Sequence, residues 1–539
     1  MGARVMGSML VVVLAVASYA WVIDLPLTGV DSVPTIAAAH AESIGDLPAV
    51  LGRELRGGVQ PGAAYYRPLT LFTYGAESLI WEWNARGYHA TDLACHALAA
   101  LAVLWMILLA FGQSVPAALA VVAIFLLHPV VNEVVPAVSR RQEPLLVVAL
   151  ALALIGAARL PTRRGWFLLV LGSLAAVCAV ERGLVVPGIV FAYLLFQPPN
   201  DASASPRLQR VLRGTLPVFG IAIAFYGLRA ALFGGGGVFF EPARATRIFA
   251  EYLLQLIHPQ QLIDLQVPAS SVAIAAWLAV AVVCAASAGW IFWRSERKGT
   301  LLFSLAWIVG YGLLFSIAGQ GQSWYPYTAV PALGLLLVTV AMEGASACAR
   351  GGAARARGAC ALAGVTAVVL PLIWTSPAVQ RFPAWEVAGG LSERFLAELS
   401  RVAEGLPPEA TPVIINLPGH YRENDSQLRV TRSAAILWPR SIDVWTHVHG
   451  IDREVVVLGA ADFVSEVSIP EIAVRDEAGA QRVAISFGDG SSAYKAPDRQ
   501  GTTITPLSNR RGFEFPLDAL PAERRYAIFV FDGERLRPY

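Results

Sequence analysis

The chain has 539 residues, 56% of them hydrophobic and only 15% charged, with a mean hydropathy of +0.56 and a formal net charge of +2. Soluble chains carry about 25% charged residues, so a purely water-soluble protein is excluded. The net charge says nothing about nucleic acid, but no basic stripe points to such a partner, and none is expected.

Apolar runs long enough to cross a hydrocarbon core of about 30 Å recur up to Ser376 and then stop. They predict helices near 5–23, 90–112, 115–133, 143–160, 165–180, 183–197, 213–233, 271–293, 300–318, 326–342 and 358–375, eleven spans in all. The expected fold is a polytopic all-α membrane bundle over 1–376, followed by a small β-rich or α+β extracytoplasmic domain over 383–539. With Arg4 in the cytoplasm, the basic clusters at Arg163/Arg164, Arg207/Arg210/Arg213, Arg294/Arg297/Lys298 and Arg350/Arg355/Arg357 all fall on that side. The odd count then puts the C-terminal domain outside, in the periplasm of a Gram-negative cell, with the chain in the inner membrane. The first segment also fits a signal peptide, which leaves the sidedness unchanged. The apolar stretch 248–263 is short and holds Pro259, so it reads as an interfacial or re-entrant helix. Cys95, Cys178, Cys284, Cys348 and Cys360 lie in or beside apolar runs and read as buried thiols, without a disulfide framework or metal-ligand spacing.

Six arginines break the pattern. Arg67, Arg140, Arg141, Arg182, Arg244 and Arg247 fall on the outer side, where basic residues are disfavoured and take an anionic partner. Outer-side carboxylates such as Glu133, Glu143, Glu181 and Glu241 suit each of them singly; as a set they suit a lipid phosphate.

The first outer loop, 24–87, carries Asp24 and Asp31, then a helical pattern (ESIGDLPAVLGREL), then the aromatic-rich YYRPLTLFTYGAESLIWEW. Such aromatics form an interfacial belt, and with nearby carboxylates they also suit a sugar site, where an acceptor hydroxyl needs a base. In GYHATDLACHAL, His89, Asp92 and His96 share one helix face, but His89 and His96 lie about 10 Å apart along the axis. That reads as a polar seam between packed helices; a divalent metal is not favoured. FLLHPVVNEVV brings His128 and Glu133 to a span end loosened by Pro129, and AVERGLVVP sets Glu181 and Arg182 between two spans.

Taken in order, YRPLT (66–70), GYHATDLACHAL (87–98), LLHPVVNEVV (126–135), SRRQEPLL (139–146), AVERGLVVP (179–187), EYLLQLIHPQQL (251–262), SWYPYTAVPALG (323–334) and VIINLPG (413–419) resemble landmarks of the bacterial relatives of the transmembrane O-mannosyltransferases with tetratricopeptide repeats. These belong to the GT-C superfamily of polyprenyl-phosphate-dependent glycosyltransferases. The resemblance implies an inverting hexosyl- or mannosyl-transferase-like enzyme that moves a sugar from a polyprenyl-phosphate donor, a membrane lipid, to a protein or glycan acceptor. It implies Asp31 and Glu133 as catalytic residues, with Asp31 taking the acceptor proton. Arg140 and Arg141 would face the donor phosphate, and Arg67, His128, His89, Glu181 and Tyr66 complete the donor- and substrate-binding set. The chain departs from the family pattern at Ser32, where a second Asp is usual, at Asp92 for Asn, at Val180 for Lys, and at Ser323-Trp324, where a Glu-Arg pair is usual. No repeat near 34 residues follows Pro383. A lipid-linked-sugar transporter and an inactive envelope scaffold stay open beside the enzyme.

Beyond an amphipathic helix at about 385–405, the runs PVIINLP, SIDVWTHVHG, REVVVLG, QRVAISFG and RYAIFVFDG read as strands. His420, His447 and His449 read as surface residues, with the last two on one face of a strand.

Overall fold

In the computed structural model, the described residues are 2–29, 31–55, 65–198, 207–234, 241–257, 289, 292–319, 321–350, 352–374, 376, 383–425, 430–437, 439–451, 453–464, 470–477, 480–486, 492–495, 505–506, 512–516 and 525–538. Hydrophobic runs become helices because, in a bilayer, every backbone polar group must find its partner within the segment. The first is α1 (Gly2–Tyr19). The long connection after it folds into α2 (Ser32–Ala39), the single-turn α3 (Leu47–Val50) and α4 (Pro68–Trp81). Next come α5 (Ala85–Leu109), α6 (Val115–Leu127), α7 (Gln142–Ala158), α8 (Arg163–Ala179), α9 (Val186–Phe196), α10 (Arg207–Phe233) and α11 (Pro242–Ile257). Then follow α12 (Lys298–Ile317), α13 (Val330–Ala349) and α14 (Gly352–Trp374).

Ten of the eleven predicted spans are therefore helices, and 271–293 lies outside the described residues but for its last few positions. Seven helical stretches among the described residues are long and apolar enough to cross a membrane by themselves. The fold is a polytopic helical membrane domain with a small sheet-bearing C-terminal domain.

Two differences have local causes. The span predicted to run through 133 ends at Leu127, because His128 precedes Pro129 and takes the extended backbone (φ −68°, ψ 131°) that a following proline imposes. Residues 129–133 and 138–140 then form two 3-10 turns before α7. The helical pattern of 42–55 condenses to a 3-10 turn at Ile44–Asp46 and the single turn of α3, with Pro48 near its start. The stretch expected as a short helix at 248–263 is helical through 257, as part of α11, and 258–263 lie outside the described residues. Ile248, Tyr252 and Leu256 are buried, and the Tyr252 hydroxyl donates to the Ile308 carbonyl of α12 at 3.1 Å.

The described parts of the connections 24–85, 128–141, 180–185 and 318–329 meet at one end of the bundle, where Tyr74 bonds the Val138 carbonyl, Arg67 pairs with Glu181, Ser323 bonds Glu133 and Arg182 lies against Tyr325. Contacts identify the opposite end: Arg210 donates to the carbonyls of Leu194 and Gln197, and Arg297 to Gln113 in the turn after α5, so these basic residues gather there.

The C-terminal domain opens with α15 (Pro383–Gly405), whose Trp385, Ala388, Leu391, Phe395, Leu399 and Val402 recur every three or four residues and are buried. Strands follow as β1 (Ala410–Ile414), β2 (Leu417–Asp425) and β3 (Val430–Ala435), then α16 (Pro439–Val448), then β4 (Val456–Val457), β5 (Gly459–Val464), β6 (Glu471–Glu477), β7 (Ala480–Ser486), β8 (Ser492–Lys495), β9 (Thr505–Pro506), β10 (Gly512–Pro516), β11 (Arg525–Phe531) and β12 (Leu536–Pro538). They build three four-stranded sheets, ordered β12-β11-β1-β4, β6-β7-β10-β9 and β3-β2-β5-β8. In the first, β1 runs parallel to both β11 and β4. Phe395 of α15 meets Phe531 edge-on with 5.3 Å between ring centroids.

One predicted strand is a helix. SIDVWTHVHG alternates at Ile442, Val444, Thr446 and Val448, but its apolar residues also recur at 442, 445 and 448, and Pro439 starts the helical reading. His447 and His449 are exposed or nearly so at the end of α16, and they share no strand face.

Candidate functional site

The C-terminal domain seats directly on the connection that carries Asp31. Ser392 of α15 donates to the Leu27 carbonyl at 3.0 Å, and the Gly29 amide donates to the Ile436 carbonyl at 3.1 Å. Gly29 adopts φ +100°, a left-handed backbone that a side chain disfavours, and this turns the chain into α2. Trp83 meets Trp445 of α16 and His449 just after it at centroid distances of 6.2 and 5.6 Å. Asp31 stands half-buried at the start of α2, close enough to Arg140 for their charges to interact.

Arg140 is the centre of the first half of the site. Its Nη1 lies 3.2 Å from Glu133 Oε2 and also donates to the Glu133 carbonyl, while its guanidinium carbon sits 3.7 Å from the centroid of the Trp324 ring. Ser323 donates to the same Glu133 oxygen at 2.9 Å. The family-pattern departure at Ser323-Trp324 therefore contacts both predicted residues, one holding the carboxylate and the other the arginine.

The second half gathers around Tyr325. The Arg182 guanidinium lies 4.5 Å from the centroid of that ring, which also stacks on Phe315 at 4.0 Å and meets Trp324 edge-on at 5.7 Å. Arg182 Nη2 pairs with Glu143, a carboxylate with no exposed side-chain surface, and Thr328 lies 3.5 Å from the other Glu143 oxygen. Arg182 Nη1 is buried without a hydrogen-bond partner among the described residues. Gly183 lets this turn press against α8: a Cβ there would fall 2.3 Å from the Ala176 carbonyl oxygen. Arg67 pairs through Nε with Glu181 at 2.8 Å and lies over the Tyr65 ring at 4.9 Å. Burial opposes the charge on Arg67, but the Glu181 carboxylate outweighs it and holds the guanidinium above its ordinary pKa.

Arg182 thus lies against Tyr325, and Arg67 and Arg140 stand near enough for their charges to act on the same ring. Low-dielectric walls and fixed partners are what make such charges effective on a bound anion.

Four predicted site residues stand elsewhere. Arg141 has a fully buried side chain whose Nε meets Asp92 at 2.5 Å and whose Nη1 meets Glu77 at 2.6 Å, so its expected phosphate contact gives way to a structural one. Burial raises the Glu77 pKa, and the adjoining Arg141 charge works against that rise. His128 accepts from the Val130 amide at Nδ1 (3.1 Å) and donates to the Leu256 carbonyl from Nε2 (3.0 Å), which occupies both nitrogens and ties α11 to the turn. His89 is buried, with Nε2 3.4 Å from the Pro26 carbonyl. The Tyr66 ring stacks on Phe225 at 5.5 Å, inside an apolar cluster with Val177. His96 completes the polar seam through a 2.7 Å hydrogen bond between Nδ1 and the Tyr327 hydroxyl.

Beyond the predicted set, the structure adds Arg182, Glu143, Ser323, Trp324 and Tyr325. For Arg182 the signal was present, since it lies on the disfavoured side of the charge rule, and Glu143 stood among the outer-side carboxylates expected to pair with such arginines; which carboxylate meets which arginine is set by packing.

No family model matches the chain, and no curated protein matches it in sequence. Among solved structures it is similar to the crystal structure of ArnT from Cupriavidus metallidurans bound to undecaprenyl phosphate, with 13% identity over 96% of this chain and 98% of that one and a TM-score of 0.44. It is also similar to the archaeal oligosaccharyltransferase AglB from Archaeoglobus fulgidus in complex with an inhibitory peptide and a dolichol-phosphate, with 14% identity over 76% of this chain and 62% of that one and a TM-score of 0.42. At that level the likeness is one of outline and does not extend to residues.

Proposed function

We propose that this protein is a GT-C-type membrane glycosyltransferase. It moves a sugar from a polyprenyl-phosphate donor to an acceptor hydroxyl at the end of the bundle covered by the C-terminal domain. The observation that carries this reading is the set of arginines Arg67, Arg140 and Arg182, each held by a carboxylate, with Arg182 against Tyr325 and Arg140 near Asp31, at the end opposite the basic loops.

Arg140 and Arg182 neutralise the charge that develops on the departing phosphate, and Glu133 and Glu143 keep them in place. Asp31 accepts the proton of the acceptor hydroxyl as its oxygen attacks the sugar carbon. The bond from that carbon to the phosphate oxygen breaks in the same displacement, inverting the carbon and releasing polyprenyl phosphate. On this reading the N-terminus is cytoplasmic, the C-terminal domain extracytoplasmic, and the acceptor a protein or glycan.

The test is transfer of label from undecaprenyl-phosphate-linked hexoses to envelope material by the purified protein in lipid nanodiscs. Transfer by the wild type that is lost in Asp31→Asn supports the proposal. Full transfer by that variant sinks the assignment of the base, and movement of labelled lipid across vesicles without transfer identifies a transporter instead.

A further inference from the structure

Arg140 and Arg141 are neighbours in sequence and face opposite ways. Arg140 turns to Glu133 and Trp324 in the site. Arg141 turns into the protein, where it is held on every side. Nε meets Asp92 of α5 at 2.5 Å, Nη1 meets Glu77 of α4 at 2.6 Å and Thr73 at 3.4 Å, and Nη2 donates to the Tyr88 carbonyl at 3.4 Å. Its flat face lies 4.1 Å from the centroid of the Tyr74 ring. The Tyr74 hydroxyl also donates to the Val138 carbonyl, so α4 grips the turn at both 138 and 141.

The segment 128–141 consists of 3-10 turns and has no continuous α-helical ladder. Side-chain contacts therefore set its shape. Two carboxylates at the edges of a planar guanidinium and a ring beneath it fix that group in all directions, and the backbone at 141 is fixed with it. The direction of Arg140, one residue earlier, follows. A lysine at 141 keeps the charge but, as a compact ammonium, does not grip both carboxylates and lie flat on Tyr74.

We infer that Arg141, gripped by Asp92 and Glu77, is a positioning residue that aims Arg140 into the site. The inference rests on the reading of that site as a phosphate-binding one.

The test is a double-substitution cycle on binding of undecaprenyl phosphate to the full-length protein in nanodiscs, read by native mass spectrometry. R140Q and R141K are each expected to weaken binding about tenfold, roughly the loss of one charge-assisted contact. The double variant is expected to bind no worse than R140Q alone. A residue with a merely structural role lowers binding by the same factor in both backgrounds, and that result overturns the proposal, as does an R141K variant that binds like wild type. If R141K does not fold, D92N serves in its place. It loosens one edge of the grip and is expected to weaken binding about threefold, again only where Arg140 is present.

A second readout needs no ligand. In a structure of the variant, the Arg140 guanidinium is expected to leave the Trp324 ring; an unmoved Arg140 overturns the proposal. Unchanged binding in R140Q, together with a displaced Arg140 in R141K, defeats the phosphate reading and leaves the positioning role standing.

Discussion

Glu143 lies at the first turn of α7 with no exposed side-chain surface, and Arg182 reaches it from the turn before α9. Removing one partner of such a pair leaves a buried charge uncompensated, at a cost of about 3–5 kcal/mol. Glu143→Gln is therefore expected to lower the thermal stability of the purified protein clearly, by scanning fluorimetry; an unchanged melting temperature contradicts the pairing. Trp324→Ala is a milder change. It removes a face under Arg140 worth about 0.5–2 kcal/mol, and is expected to weaken undecaprenyl phosphate binding severalfold without lowering the melting temperature. At this scale the sequence was informative where partners are close. Glu133 and Arg140 lie seven residues apart, and the charge rule drew attention to both. Arg182 and Glu143 are 39 residues apart, and Ser323 and Glu133 are 190 apart; only the packing of four helix ends brings them together.

Helices were legible as elements because length and apolarity alone decide them in a bilayer. Their ends were less so. The end of α6 at Pro129 is a local steric effect that the sequence signalled, but the course of 128–141 depends on contacts with Tyr74 and Asp92, which no local pattern records. α16 shows the complementary difficulty, since a short run can satisfy the periods of strand and helix together. α15 was plain, because its apolar stripe follows the helical period. Its Phe395 is fully buried against Phe531, and Phe395→Ala is expected to destabilise the C-terminal domain by about 3–5 kcal/mol. Limited proteolysis of the whole protein checks this: faster cleavage after 405 is the expected result, and a wild-type pattern contradicts it.

Across the whole molecule, the arrangement of charge and the placement of the C-terminal domain agree. Basic residues such as Arg210 and Arg297 gather at one end, and the arginine–carboxylate site lies at the other, beneath the domain that holds the Asp31 connection through Leu27 and Gly29. Glu409, just before β1, and Arg164, in the first turn of α8, are both exposed. If the basic end is cytoplasmic, single cysteines at these two positions, in a background without native cysteines, respond oppositely to a membrane-impermeant thiol reagent added to whole spheroplasts. Labelling at Glu409→Cys and protection at Arg164→Cys is the expected result, and the reverse contradicts the orientation.

The central claim is that the cations around Tyr325 hold the phosphate of a polyprenyl lipid. The most direct measurement is the affinity of undecaprenyl phosphate for the nanodisc-embedded protein, compared between wild type and Arg182→Gln, the variant that removes from the site an Nη1 without a hydrogen-bond partner among the described residues. A loss of about tenfold, the scale of one charge-assisted contact, is the predicted result, and an affinity equal to that of the wild type contradicts the account.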